Sequence, residues 1–142
     1  MSYFTYNTNI QMRISQIILD NLTSQAQTSE RLRQSMDLRT TSADTSQRIL
    51  NALEPGTIVP IHRHRNTSET VIIVRGRLIE RLYNDSGEMV EEILMEVGGT
   101  CPVLQIQAGQ WHDIKVLDSG TIIFEAKDGS YETLNDNDIL YL

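Results

Sequence analysis

The stretch Ile61–Gly76, IHRHRNTSETVIIVRG, decides how the rest of the chain reads. His62 and His64 are separated by one residue, and on an extended backbone alternate side chains share a face, so both imidazoles project to the same side. That is a chelating geometry, although a His-x-His pair alone is as often a satisfied strand pair as a metal site. Four residues then lead to Glu69, a turn's length that can bring a carboxylate in from a neighbouring strand. Imidazole nitrogen suits zinc, iron, manganese and nickel, and a carboxylate adds a hard, charged ligand.

The chain has three histidines, and the remaining one is His112 in QAGQWHDI, after a glycine turn. All three stand where strands begin in the pattern around them. Short runs rich in Ile, Val, Leu and Thr follow one another from Gln47 to Lys127, punctuated by EPG, NDSG, GG, AGQ and DSG. The expected strands are Gln47 to Leu53, Ile58 to Ile61, Thr70 to Arg75, Arg77 to Tyr83, Glu91 to Val97, Val103 to Ile106, His112 to Leu117 and Thr121 to Lys127. Many short strands without intervening helices predict an antiparallel sandwich or barrel. Ahead of them, Ile14, Ile17, Ile18 and Leu22 fall on one helical face over Gln11 to Leu22, with Asn9 as its cap. A polar stretch follows, with one short helix expected near Ser29 to Gln34 and with Arg31, Arg33 and Arg39 concentrated in it. The reading is therefore an N-terminal helix and polar segment over 1–46, a β-barrel over 47–130 and a tail over 131–142.

Composition narrows the function. The formal net charge of −7 opposes binding to a phosphate backbone, which needs a basic face. No apolar run approaches the ~20 residues that span a bilayer, and MSYFTYNTNIQMR lacks the pattern of a secretory leader. The lone Cys101 permits no intrachain disulfide and fits a reducing compartment. A cytoplasmic protein that binds neither nucleic acid nor membrane is expected.

The spacing Gly56, five residues, His62, one residue, His64, four residues, Glu69, six residues, Gly76 resembles the first motif of the cupin superfamily. QAGQWH is similar to the second motif at Gly109 and His112, with Gln107 in place of the usual proline and Val116 where an asparagine often stands. More narrowly, QRILNALEPGTIVPIHRHRNTSETVIIVRGRL, WHDI and FEAKDGSYE resemble WbuC-type cupins, small bacterial proteins associated with O-antigen and surface-polysaccharide gene clusters. The WbuC pattern has Asn-Leu-His ending an Asn-rich stretch ahead of the barrel; here RQSMDLR places Ser35, Asp37 and Arg39 there.

The resemblance implies a mainly β, jelly-roll cupin barrel and a divalent metal held by His62, His64, Glu69 and His112. Four ligands leave two positions on an octahedral ion and none on a tetrahedral one, so iron, manganese or nickel is favoured over zinc for catalysis. The implied function is action on a sugar or nucleotide sugar, as an isomerase, epimerase or lyase; the alternative is a non-catalytic metal- or sugar-binding regulatory module. Arg33 and Arg48 are the favoured residues for a carbohydrate-like small-molecule ligand, ahead of Arg75, Tyr83 and Gln105. Trp111, one residue from His112, should face the other way and pack. Exposed strand edges make a homodimer the expected assembly.

Overall fold

The computed structural model describes residues 11–142. One helix, α1 (Gln16–Thr28), precedes ten strands: β1 (Arg33–Asp37), β2 (Ser46–Leu53), β3 (Ile61–His62), β4 (Glu69–Arg75), β5 (Arg77–Tyr83), β6 (Met89–Glu96), β7 (Val103–Ile106), β8 (Trp111–Val116), β9 (Thr121–Asp128) and β10 (Ile139–Leu140). They form two antiparallel sheets of five, ordered β1-β2-β9-β4-β7 and β10-β3-β8-β5-β6. This is the expected jelly roll. No helix among the described residues is long and apolar enough to cross a membrane.

Alternation along the strands sorts side chains into two cores. On β2, Leu53 faces the barrel interior with Val71, Ile73, Leu78, Met95, Ile106, Val116 and Ile123. Leu50 and Ala52 face outward and pack with Met36, Leu38 and Ile122 beneath Leu19, Leu22 and Ala26 of α1. Burying each such leucine contributes about 1.5–3 kcal/mol, so α1 is held mainly by its contact with the first sheet.

The helix begins and ends later than its periodicity predicts. Asn9, the expected cap, lies outside the described residues; Ser15 caps α1, its hydroxyl accepting from the Ile18 amide at 3.4 Å. Ile14 therefore precedes the helix and Ile17 is exposed. The buried face is Leu19, Leu22 and Ala26, at spacings of three and four. The short helix expected near Ser29 to Gln34 does not form; Leu32 takes a left-handed φ of 55° and the chain enters β1, which pairs with β2 from Arg33↔Leu53 to Asp37↔Ile49.

Gly76 joins β4 to β5 at φ 73°, a conformation that side chains with a Cβ rarely adopt. Space is restricted there as well, since a Cβ at Gly76 would lie 2.7 Å from the Thr121 Cα. The Thr121 hydroxyl accepts from the Arg77 amide at 3.2 Å and donates to the Asp118 carbonyl at 2.7 Å, tying the β4–β5 turn to the start of β9.

Candidate metal centre

The histidines reach the centre from two adjacent strands. His62 ends β3 and pairs in register with His112 on β8, while His64 lies two residues further on. The Gly109 amide donates to the His64 carbonyl at 2.8 Å, so the turn before β8 is pinned to the segment after β3. The ring centroids of His62 and His112 are 4.3 Å apart, those of His62 and His64 5.1 Å, and those of His64 and His112 5.9 Å. One ligand atom from each lies within 4.8 Å of the others. The Pro60 carbonyl is 2.8 Å from His62 Nδ1 and the Gln110 carbonyl 2.9 Å from His112 Nδ1. A carbonyl can only accept, so these contacts put the proton on Nδ1 and leave the Nε2 lone pair for a metal.

Glu69, at the start of β4, presents Oε2 at 3.3 Å from His64 Nε2 and 3.6 Å from His112 Nε2. This oxygen is buried and forms no hydrogen bond among the described residues, which is an unfavourable state for a carboxylate unless a cation approaches it. The mutually close set is thus the three imidazoles, with Glu69 against two of them from the opposite sheet. Two more carboxyls line the same interior, Glu80 and Glu125, against a single lysine, Lys127, 3.8 Å from Glu125. Nitrogen donors fixed by carbonyls, an orphaned carboxylate oxygen and an excess of buried carboxyls together fit a divalent transition metal.

The electrostatics follow from burial and crowding. Burial, then the neighbouring His112 and His64, hold His62 down to about 3. Burial opposes the His112 cation too, but Glu69, with Glu80 behind it, outweighs burial and raises His112 to about 9. Burial pushes Glu69 up, yet His112, His64 and Lys127 together keep it well below the usual carboxylate range. Glu80 is pushed up to about 8 by burial and by Glu69 and Glu125, despite the opposing His112. Glu125 rises to about 7 through burial and the charge of Glu69.

These groups line a cavity of about 1070 Å³ that opens between β1, β2, the segment after β3 and residues 129–135. Arg33 lines it; the other expected ligand residues do not. Arg48 lies between the cavity-facing Gln47 and Ile49, on the opposite face of β2, paired with Asp44 at 2.5 Å. Arg75 bonds Asp20 of α1 at 2.8 Å, fastening the helix. The Tyr83 hydroxyl donates to Asp113 at 2.9 Å on the outer face of β5, where Arg81 grips the same carboxylate with bonds of 2.8 and 2.7 Å. Gln105 accepts from the Thr70 hydroxyl at 2.5 Å, outside the cavity. Trp111 is buried opposite His112, donating to Asp85 at 3.0 Å, with the Arg63 guanidinium 4.4 Å over its ring.

Gln47, Asn51, Glu80, Glu125 and Lys127 also line the cavity without having stood out in the sequence. Their signal was strand parity. Glu80 shares a face of β5 with Leu78 and Leu82, and Leu82 is in register with His112, so a carboxyl at Glu80 must enter the barrel.

Two five-stranded antiparallel sheets with a histidine cluster between them give the chain a cupin fold. The chain belongs to the family described as domain of unknown function DUF6016, whose profile covers residues 14–95. No curated protein matches its sequence. Among solved structures, the fold resembles the capsular polysaccharide assembling protein CapF from Staphylococcus aureus (20% identity over 72% of this chain and 27% of that one, TM-score 0.57). It also resembles a variant of oxalate decarboxylase OxdC from Bacillus subtilis (17% identity, 78% of this chain and 28% of that one, TM-score 0.55). A third similar structure is procruciferin, the 11S globulin of Brassica napus (15% identity, 61% of this chain and 21% of that one, TM-score 0.52). The chain spans less than a third of the length of each, and the likeness is one of fold.

Proposed function

We propose that this chain is a metal-dependent cupin of the WbuC type that acts on a sugar or nucleotide-sugar intermediate of surface-polysaccharide assembly, by isomerisation, epimerisation or a lyase step. The observation that carries the metal is the convergence of His62, His64 and His112, with the Nδ1 atoms of His62 and His112 occupied by backbone carbonyls. His62, His64, Glu69 and His112 are the proposed ligands, and manganese, iron or nickel the favoured ion. Such an ion supplies a Lewis acid that polarises a carbonyl or acidifies a bound hydroxyl.

The chain's own residues supply the rest. Gln47, Asn51, Glu80 and Glu125 face the same cavity and offer donors and acceptors for several hydroxyls at once, which suits a carbohydrate better than an apolar ligand. Supporting the polysaccharide assignment are the WbuC-like motifs and the shared fold with a capsular polysaccharide assembling protein. The exposed apolar side chains Met89, Val90 and Leu94 on edge strand β6 and Val103 on edge strand β7 support a homodimer.

Elemental analysis of protein purified without chelators, followed by turnover assays against nucleotide sugars, tests the reading. Stoichiometric metal with turnover is expected. Metal with ligand binding but no turnover would make the chain a binding module, and protein that takes up no iron, manganese, nickel or zinc would remove the metal reading altogether.

A further inference from the structure

The cavity is unevenly charged along its depth. Its buried wall carries Glu69, Glu80 and Glu125, whereas its more exposed margin carries the guanidiniums of Arg31, Arg33, Arg63 and Arg65. Exposed carboxylates share that margin, Asp128 and Glu132, and Asp138 is gripped by both Arg63 and Arg65, each donating to Oδ1 at 3.1 Å.

Arg33 is different. Its side chain donates to the carbonyl of Ile58 at 3.0 Å, and no carboxylate among the described residues pairs with it or with Arg31. A guanidinium carries five N–H donors in a planar fork, so one carbonyl leaves most of the fork available. In a chain of net charge −7, carboxylates are plentiful, and these two arginines stand at a cavity mouth without one.

Their position relative to the metal centre is also set. The Thr57 hydroxyl donates to the Arg31 carbonyl at 2.7 Å, beside the Arg33–Ile58 bond, so residues 31–33 are fastened to the segment that leads into His62. His62 lies four positions after Ile58, a reach of at most ~14 Å along the chain. The arginine fork therefore shares one cavity with the histidines and is anchored to the segment that carries His62.

We propose that the outer end of this cavity is a phosphate subsite, in which Arg33, assisted by Arg31, takes the phosphate or diphosphate of a sugar whose hydroxyls reach towards the histidine triad. Only the sugar end rests on the function proposed above. A phosphate offers several anionic oxygens to the two guanidiniums at once, in the bidentate geometry that arginine favours. A sugar carboxylate offers two, on an atom attached directly to the ring.

The test is calorimetric titration of the metal-loaded full chain with inorganic phosphate and with glucose 1-phosphate, using glucose and glucuronate as comparisons. Both phosphates should bind, glucose 1-phosphate more tightly than inorganic phosphate, glucose or glucuronate, and added salt should weaken both. Arg33→Gln should reduce the affinity roughly ten- to a hundredfold, the range for a charge-assisted contact. Arg31→Gln, at an exposed position, should reduce it less, and Arg48→Gln, on the other face of β2, should leave it unchanged. A His62→Ala, His64→Ala double variant separates this site from the metal, and inorganic phosphate should still bind to it. The proposal is overturned if the native chain ignores millimolar phosphate, if glucuronate outcompetes glucose 1-phosphate, or if phosphate binding disappears with the metal and is indifferent to Arg33→Gln. A native chain that takes up no metal yet binds phosphate would overturn the metal reading and leave the subsite intact.

Discussion

At the scale of single residues the histidines and the cavity-lining carboxyls Glu80 and Glu125 make opposite demands. His62 and His64 are useful only as neutral donors, so His62→Ala or His64→Ala should remove most of the bound metal, measurable by elemental analysis of the purified variants. Metal content that survives both changes would place the ion elsewhere. Glu80 is held neutral by burial, with one carboxyl oxygen that finds no hydrogen-bond partner among the described residues. Its folded pKa, about 8, stands above its ordinary value of 4.5, so its contribution to stability is fully present below pH ~4.5 and is lost as the pH rises through ~8. In metal-free protein, Glu80→Gln should therefore stabilise the fold at pH 8 relative to the native chain by on the order of 1–3 kcal/mol, seen as a higher melting temperature, with the difference shrinking towards pH 5. A variant that melts lower at both pH values would show that the carboxyl supports the fold. The histidines that converge here were legible because the spacing of candidate ligands is a local property of the chain. Glu80 and Glu125 were not, because what makes them unusual is the set of strands around them.

Elements explain why the N-terminal part was harder to read. β1 is RQSMD, with no β-branched run, because its two faces serve different neighbours. Met36 packs under α1, whereas Arg33 and Ser35 border the cavity. A strand that divides its sides between a helix and a wet cavity does not show simple alternation of apolar and polar residues. β10 is only two residues long and forms by pairing with β3, a contact invisible in local sequence. By contrast, β5 and β7 were legible to the residue, being bounded by glycine or proline turns with β-branched and leucine side chains between them. Gly76 is the clearest element-scale test. Gly76→Ala combines a left-handed φ with a Cβ driven against the Thr121 backbone, and should destabilise the fold by about 2–6 kcal/mol, as the sum of strain and overpacking. Denaturant melts would show this, while a loss below ~0.5 kcal/mol would mean that the turn can shift away from β9.

For the whole molecule, the candidate ligands fall on both sheets, His62 and His112 on the second and Glu69 on the first. An ion bound by all of them would cross-link the two halves of the barrel, and its binding free energy would add to folding, about 2.7 kcal/mol at a free concentration one hundred times Kd. The proton competes for the same site. In metal-free protein His112 is raised to about 9 from 6.5, so the stability it confers is full below pH 6.5 and is lost as the pH climbs through 9. Glu80 acts in the same direction, over the window from 4.5 to about 8. Metal binding requires His112 neutral and so gains affinity over the range in which the metal-free fold weakens, by up to about tenfold per pH unit for the one proton displaced. Melting temperatures of metal-loaded and metal-free protein should therefore lie close together at pH 5 and separate progressively to pH 9. Calorimetry at pH 7 in buffers of different ionisation enthalpy should record about one proton released per ion bound. A gap that is constant with pH, with no proton released, would mean that the ion is not held by these imidazoles.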